Sequence, residues 1–321
     1  MTSFSTFINL FEERLKENKF PKNPKTLYTA AEHILSIGGK RIRPVCVLMA
    51  NELFGEILED AFQAALAIEL FHNFSLIHDD MMDKAPLRRG KPTVHELYGN
   101  DVALLAGDVM LVKAYEALAQ THQSFLPELM KLFNNTAQQV CEGQQLDMDF
   151  ENRDDVDMEE YEMMITQKTS VLLGCSLQMG AIIGGAGKGN QEHLYAFGKN
   201  LGIAFQVQDD YLDAFGNPQK VGKQIGGDIL ANKKTFLLIR ALQTAAPHQK
   251  QRLDELLKER SENKVDEMLN IFKDCKVEEW AMEAKEKFYR KALFHLEEVA
   301  VLSSSKEELL KLAAFLMHRE N

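Results

Sequence analysis

Apolar residues recur at three- and four-residue spacing from Ala61 to Met82, Val102 to Leu118, Glu160 to Ile183, His193 to Phe215 and Ala292 to Met317. That is the period of helices with one buried face. Runs of alternating β-branched residues, the mark of half-buried strands, are absent. Breakers fall between the periodic segments, at Pro21 to Pro24, Gly38-Gly39, Pro86 to Pro92, Gly184 to Asn190, Gly216 to Gly227 and Ala245 to Gln249. The pattern predicts an all-α chain. No Pro/Ser/Gly-rich linker divides it, so one domain over residues 1–321 is expected. The weakly polar stretch Ser170 to Gly187 contains Gln178 and five glycines and is expected as a buried helix, with no membrane span.

Composition narrows the picture only slightly. Apolar residues make up 45% of the 321 positions, ample for a substantial core. A formal net charge of −11 argues against a nucleic-acid partner and for solubility. Cys46, Cys141, Cys175 and Cys275 show no CxxC pairing, which suits a reducing cytoplasm. Charges from Glu12 to Lys16 interrupt any apolar signal-peptide core, so secretion is not expected. The acidic run Glu151 to Glu162 reads as a solvated helix start.

Two copies of one acidic motif change the picture more. Asp79-Asp80-Met81-Met82-Asp83 and Asp209-Asp210-Tyr211-Leu212-Asp213 lie 130 positions apart. With 18 Asp in the chain, a DDxxD pattern is expected by chance only about 0.06 times. On a helix the spacing i, i+3 and i, i+4 puts the three carboxylates of each motif on one side. Like charges so placed repel and raise one another's pKa, and divalent cations compensate them. Hard oxygen ligands that leave room for water and phosphate point to Mg²⁺ and a diphosphate.

These motifs and their surroundings, from Gly38-Gly39-Lys40-Arg41-Ile42-Arg43-Pro44 to Asn232-Lys233-Lys234-Thr235, resemble the trans-prenyl diphosphate synthases of the polyprenyl synthetase family in order and spacing. The resemblance implies an all-α isoprenoid-synthase fold, a helical bundle around a deep central cavity, usually a homodimer. It also implies three Mg²⁺ ions that hold an allylic diphosphate between the two aspartate-rich helices. Asp79, Asp80, Asp83, Asp209, Asp210 and Asp213 would be the metal ligands. Arg88, Lys168, Thr169, Lys223 and Lys233 would bind the allylic diphosphate. Lys40, Arg43, His72 and Arg89 match the positions for isopentenyl diphosphate, a second and metal-free pocket where planar guanidinium groups suit phosphate bidentately. Gln206 resembles the polar residue near the hydrocarbon and cation, and Gln144 and Asp147 resemble a motif lining the cavity. His78 is read as structural. Head-to-tail (1′-4) condensation with isopentenyl diphosphate follows, with released pyrophosphate taking the final proton.

Product length is read from the residues before Asp79. Phe74 matches the aromatic of short-chain synthases, Phe71 adds bulk one turn deeper, and Ser75 is small. A C15 to C20 product is expected, with geranylgeranyl diphosphate ahead of farnesyl diphosphate. On an ideal wheel, however, Phe74 points about 140° away from Asp79 while Ser75, His72 and Ile68 share the stripe of Asp79, which leaves a longer polyprenyl product open. A class I terpene cyclase normally has an Asn/Asp, Ser, Glu second site and no use for Lys40, Arg43 and Arg89. A noncatalytic synthase subunit typically lacks one aspartate motif, and this chain keeps both.

Overall fold

The computed structural model describes residues 2–216, 226–258 and 263–317. The helices run in the order α1 (Phe4–Glu17), α2 (Lys25–Ser36), α3 (Ile42–Glu52), α4 (Glu59–Met82), α5 (Val94–Tyr98), α6 (Asn100–Ala119), α7 (Leu126–Phe150), α8 (Met158–Ile165), α9 (Val171–Ile183) and α10 (Lys188–Phe215). They continue as α11 (Gly227–Leu230), α12 (Phe236–Thr244), α13 (Pro247–Lys258), α14 (Lys264–Asp274), α15 (Val277–Glu298) and α16 (Glu307–Met317). Packing within the chain gathers into two compact units. One comprises Met1–Asn135, Cys175–Tyr195 and Val299–Glu308; the other comprises Thr136–Gly174, Ala196–Glu298 and Leu309–Asn321.

The first unit is built on α4, which packs chiefly against α6 and α3. Small residues make this possible: Ala61, Ala64, Ala65 and Ala67 are fully buried beside Ile68, Leu70 and Phe71. Apolar residues therefore occupy more than one face of α4, as a helix enclosed by neighbours requires. Against α3, a Cβ at Gly180 of α9 would lie 2.0 Å from the Val47 carbonyl oxygen, so only glycine permits that approach. The second unit has its own core, in which Leu237, Leu238 and Ala241 of α12 cluster with Leu253, Leu256, Met268, Phe272 and Val277. Each fully buried Leu or Phe contributes about 1.5–3 kcal/mol.

The helical segments foreseen from periodicity form with three corrections. The run from Glu160 to Ile183 is not uniformly α-helical, because residues Thr166–Ser170 make a π-helical turn between α8 and α9. The run from Ala292 to Met317 is broken: α15 stops at Glu298 and α16 starts at Glu307 after a 3-10 turn over Ser303–Lys306. Leu302 there is 76% exposed and three serines follow it, so the apolar period continues numerically across a break in which Val299 is buried but Leu302 is not. The third correction is a small antiparallel ladder, β1 (Leu87–Arg88) with β2 (Lys91–Pro92), inside the Pro86 to Pro92 breaker. Its two loop residues, Arg89 and Gly90, both take positive φ (52° and 75°), the backbone that a two-residue hairpin turn demands. The Ser170 to Gly187 stretch forms the expected buried helix, since every residue of α9 but Gln178 is buried. The acidic run becomes a helix start with a capping box, Asp157 accepting from Glu160 N at 2.9 Å and Glu160 accepting from Asp157 N at 3.1 Å. Among the described residues no helix is long and apolar enough to cross a membrane.

Candidate active site

In the first unit the acidic motif closes α4. Asp80 is 2% exposed and Arg88 covers it, with Nε at 2.8 Å from Oδ2 and Nη2 at 2.7 Å from Oδ1. The hairpin accounts for this reach: its strand brings Arg88 back over the helix end. Arg88 Nη2 also lies 3.5 Å from Asp79 Oδ2. The buried and adjoining carboxylates hold the Arg88 guanidinium above its ordinary pKa despite partial burial. Asp79 is half-buried and Asp83 exposed.

A basic cluster stands on the same unit. Arg43 Nη1 lies 3.2 Å from His72 Nε2. A guanidinium only donates, so Nε2 accepts and the imidazole is neutral. Burial, followed by the charges of Arg43, Arg89, Arg88 and Arg41, drives the His72 pKa well below its usual value, in accord with that tautomer. Arg43 Nε is buried with no hydrogen-bond partner. The Arg89 guanidinium packs on Gly39, 2.7 Å from where a Cβ would stand. Lys40 is exposed at the same Gly38-Gly39 turn. Lys40, Arg43, His72 and Arg89, foreseen as one pocket, thus all belong to this unit, with Arg43, His72 and the Gly39–Arg89 contact documented directly. Below them Phe71, Phe74 and His78 form an aromatic row, Phe74 lying 5.5 Å from Phe71 and 4.8 Å from His78 between ring centroids. The Ser75 hydroxyl donates to the His72 carbonyl at 2.8 Å. His78 has the structural place expected of it: its Nε2 lies 3.1 Å from the Leu104 carbonyl oxygen, and a Cβ at Gly107 would be only 2.3 Å from that nitrogen.

In the second unit the other motif ends α10. Asp210 is 3% exposed. It accepts from Tyr161 OH at 2.6 Å, Gln206 Nε2 at 3.1 Å and Phe236 N at 3.2 Å. Burial pushes its carboxyl up to about 7, Asp228 adds to that, and the three donors oppose it. Asp213 Oδ2 accepts from Asp228 N at 3.0 Å, so this carboxylate anchors the first turn of α11. Asp209 is half-buried. A cavity of about 130 Å³ is lined by Lys168, Thr169, Gln206, Asp210, Lys233 and Tyr161, among others. Lys168 and Thr169 enter it from the π-helical turn, and Lys168 Nζ donates to Asp147 at 2.6 Å. Gln144, named with Asp147, has a buried Nε2 that lacks a partner. Lys223 lies outside the described residues.

That turn depends on one glycine. A Cβ at Gly143 of α7 would stand 2.2 Å from Lys168 N, a backbone contact that cannot yield by a side-chain rotation. Gly143→Ala is therefore expected to push Lys168 and Thr169 out of place, costing roughly 1–3 kcal/mol in stability and on the order of 10²-fold in turnover. Thermal unfolding and steady-state kinetics of the variant check both.

The donor chemistry fits a hard divalent ion, but only as a partial shell. Among the described residues no three carboxylates, imidazoles or thiolates converge on one point. The oxygens of Asp80 and Asp210 are already engaged by protein donors. Asp79, Asp83 and Asp209 are more accessible than Asp80 and Asp210, and carboxylate oxygens suit an ion that completes its shell with water and phosphate, as Mg²⁺ does. Sequence reasoning did not single out Tyr161 or Glu69, nor a role for Arg41. Tyr161 looks like one more apolar-face residue of α8, and only folding brings its hydroxyl to Asp210.

Comparison with known proteins follows the same lines. The family model described as Polyprenyl synthetase matches residues 24–275. The chain is 39% identical over 316 residues to a short chain isoprenyl diphosphate synthase of Methanothermobacter thermautotrophicus, covering 98% of this chain and 97% of the relative. It is 38% identical over 323 residues to a geranylgeranyl diphosphate synthase of Saccharolobus solfataricus, with 98% and 97% covered. A crystal structure of a geranylgeranyl pyrophosphate synthase superposes with a TM-score of 0.94 at 42% identity, over 100% of both chains.

Proposed function

Because this chain belongs to the polyprenyl synthetase family, has its all-α isoprenoid-synthase fold and is a short-chain trans-prenyltransferase acting on isoprenyl diphosphates, we propose that its main product is geranylgeranyl diphosphate. Farnesyl diphosphate is the minor alternative. Members of the family work with a divalent metal, and we take it here to be Mg²⁺, three ions per site. The observation that carries the two-substrate reading is the division of cations in the first unit: Arg88 sits within the acidic motif, ion-paired to Asp79 and Asp80, whereas among the described residues Arg43 and Arg89 form no ion pair with a carboxylate. A cyclase needs one diphosphate site. Chain elongation needs a second, and a cluster whose two arginines form no such ion pair suits a metal-free phosphate.

In this mechanism Asp79, Asp83 and Asp209 would hold the metals, while Asp80, Asp210 and Asp213, each engaged by protein donors, brace the ends of the two motif helices. The ions, when bound, neutralise the charge that grows on the pyrophosphate as the allylic C–O bond breaks. Arg88, Lys168 and Lys233 share that work, with Lys223 as a further candidate and Thr169 as a hydrogen-bond donor. Lys40, Arg43 and Arg89 hold isopentenyl diphosphate, and neutral His72 keeps Arg43 aimed. Gln206 stands near the hydrocarbon and cation. The isopentenyl double bond attacks the allylic carbon, forming the new C–C bond, and the released pyrophosphate accepts the proton lost from the adduct.

Residues 1–321 act as one catalytic domain in this reading, supported by a family match that runs through segments of both compact units. A cytoplasmic homodimer is the proposed form. Leu97, Leu104, Leu105 and Val112 on α5 and α6 are 48–56% exposed, an apolar face that a second copy would cover. The test of function is incubation of purified protein with isopentenyl diphosphate, Mg²⁺ and dimethylallyl, geranyl or farnesyl diphosphate, with products identified by mass. C20 is expected to dominate. Products of C25 or longer would replace the C20 assignment, and no elongation from any primer would overturn the reading altogether.

A further inference from the structure

We propose that the buried Arg41–Glu69 pair is a positioning device for the metal-free diphosphate pocket, and that neither residue binds substrate itself. The inference rests on the two-substrate reading given above. Its starting point is the turn between α2 and α3. Arg41 takes φ 48°, a left-handed backbone that a non-glycine side chain keeps only where its surroundings hold it there.

Those surroundings are specific. Arg41 Nε donates to Glu12 on α1 at 2.6 Å, Nη1 donates to Glu69 on α4, and Nη2 donates to the Leu35 carbonyl of α2 at 3.1 Å. Three helices therefore meet on one guanidinium. The side chains of Arg41 and Glu69 are each only 4% exposed. Asn73 completes the arrangement, its Nδ2 donating to Glu69 Oε1 at 2.9 Å and to the Glu69 carbonyl at 2.8 Å.

The pocket hangs on both ends of this pair. Arg41 lies directly between Lys40 and Ile42-Arg43, so the conformation of its backbone sets where both cations emerge. Glu69 lies three residues before His72 on α4, one turn away, and His72 receives Arg43. Charge follows the same division. Arg41 is neutralised by Glu12 and Glu69 and its side chain is 4% exposed, against 23% for Arg88, and burial and pairing together remove it as a phosphate ligand. Burial lowers the pKa of both Arg43 and Arg89, the two pocket arginines that form no ion pair among the described residues, and the Glu69 carboxylate opposes that shift at each.

A buried ion pair replaced as a pair by apolar side chains usually keeps its fold, whereas removal of one partner leaves an uncompensated charge. The double variant Arg41→Met/Glu69→Met separates positioning from stability. It is expected to unfold within a few degrees of the parent, yet to bind isopentenyl diphosphate about tenfold more weakly or worse, by calorimetry without metal and as KM. The KM for the allylic diphosphate is expected to stay within about twofold of the parent value. Arg41→Lys, which keeps charge opposite Glu69 but loses the fork to Glu12 and Leu35, is expected to weaken isopentenyl diphosphate roughly threefold or more. Isopentenyl diphosphate affinity within about twofold of the parent in both variants, or equal losses for both substrates, would overturn the proposal. Arg43→Gln locates a failure. If it weakens isopentenyl diphosphate while the Arg41 and Glu69 variants do not, the positioning role is wrong; if it too has no effect, the assignment of the pocket is wrong and the proposal goes with it.

Discussion

Arg88→Met is expected to lower both stability and turnover sharply. In the folded chain three donor contacts from Arg88 satisfy a carboxylate that is 2% exposed. Removing the guanidinium leaves Asp80 buried and unpaired, a change that costs about 3–5 kcal/mol. Turnover of the allylic diphosphate should fall by about 10²–10³-fold, the effect of deleting one donor aimed at developing charge. The double variant Arg88→Met/Asp80→Leu separates the two effects. It should regain most of the unfolding midpoint, because the orphaned carboxylate is gone, and regain none of the rate. Thermal unfolding and kcat/KM on the same preparations check this. Unchanged turnover in the single variant would show that Arg88 is a strut for α4 alone and no part of the diphosphate site.

Phe74→Ala is expected to lengthen the product by one or more five-carbon units. The ring is half-buried and stands in a row with Phe71 and His78. Phe71 is in turn closed off by Phe133 at 5.2 Å and Phe133 by Tyr115 at 5.2 Å, centroid to centroid. The row is thus backed by further aromatic rings, and Phe74, like His78, is half-buried. Deleting its ring should cost less than the roughly 3–5 kcal/mol of a fully buried Phe→Ala change, so the variant remains foldable. Mass analysis of products from a geranyl or farnesyl primer reads the outcome. Unchanged chain length would pass the limit to Phe71 or to another helix.

The aromatic row also shows how far a helical wheel reaches. Positions 71, 74 and 78 follow i, i+3, i+7, and their rings do meet in the structure. His72 is drawn instead to Arg43, as expected of a residue on another stripe. The wheel could order residues along α4, but whether a given stripe meets substrate or a neighbouring helix depends on what packs there. Other parts of the site left weaker traces. The Pro86 to Pro92 segment was legible as a breaker, yet its hairpin, and with it the grip of Arg88 on Asp80, requires two successive positive φ angles that Arg89-Gly90 only partly announces. The π-helical turn under Lys168 has no periodic signature. It depends on the contact with Gly143, 25 positions earlier in the chain.

By itself, the sequence determined the helical character of the chain, the paired acidic motifs with their demand for a divalent ion, and the basic residues near the first motif. These are local properties, carried by period, by charge at fixed spacing and by residue type. Only the tertiary structure decided how the six aspartates divide: Asp80 under Arg88, Asp210 under Tyr161, Gln206 and the start of α12, Asp213 on the start of α11, with Asp79, Asp83 and Asp209 left closer to solvent. Identical letters in a motif acquire different work because burial sets the cost of a bare charge and partners distant in sequence offset it. Neither burial nor those partners can be read from the motif alone.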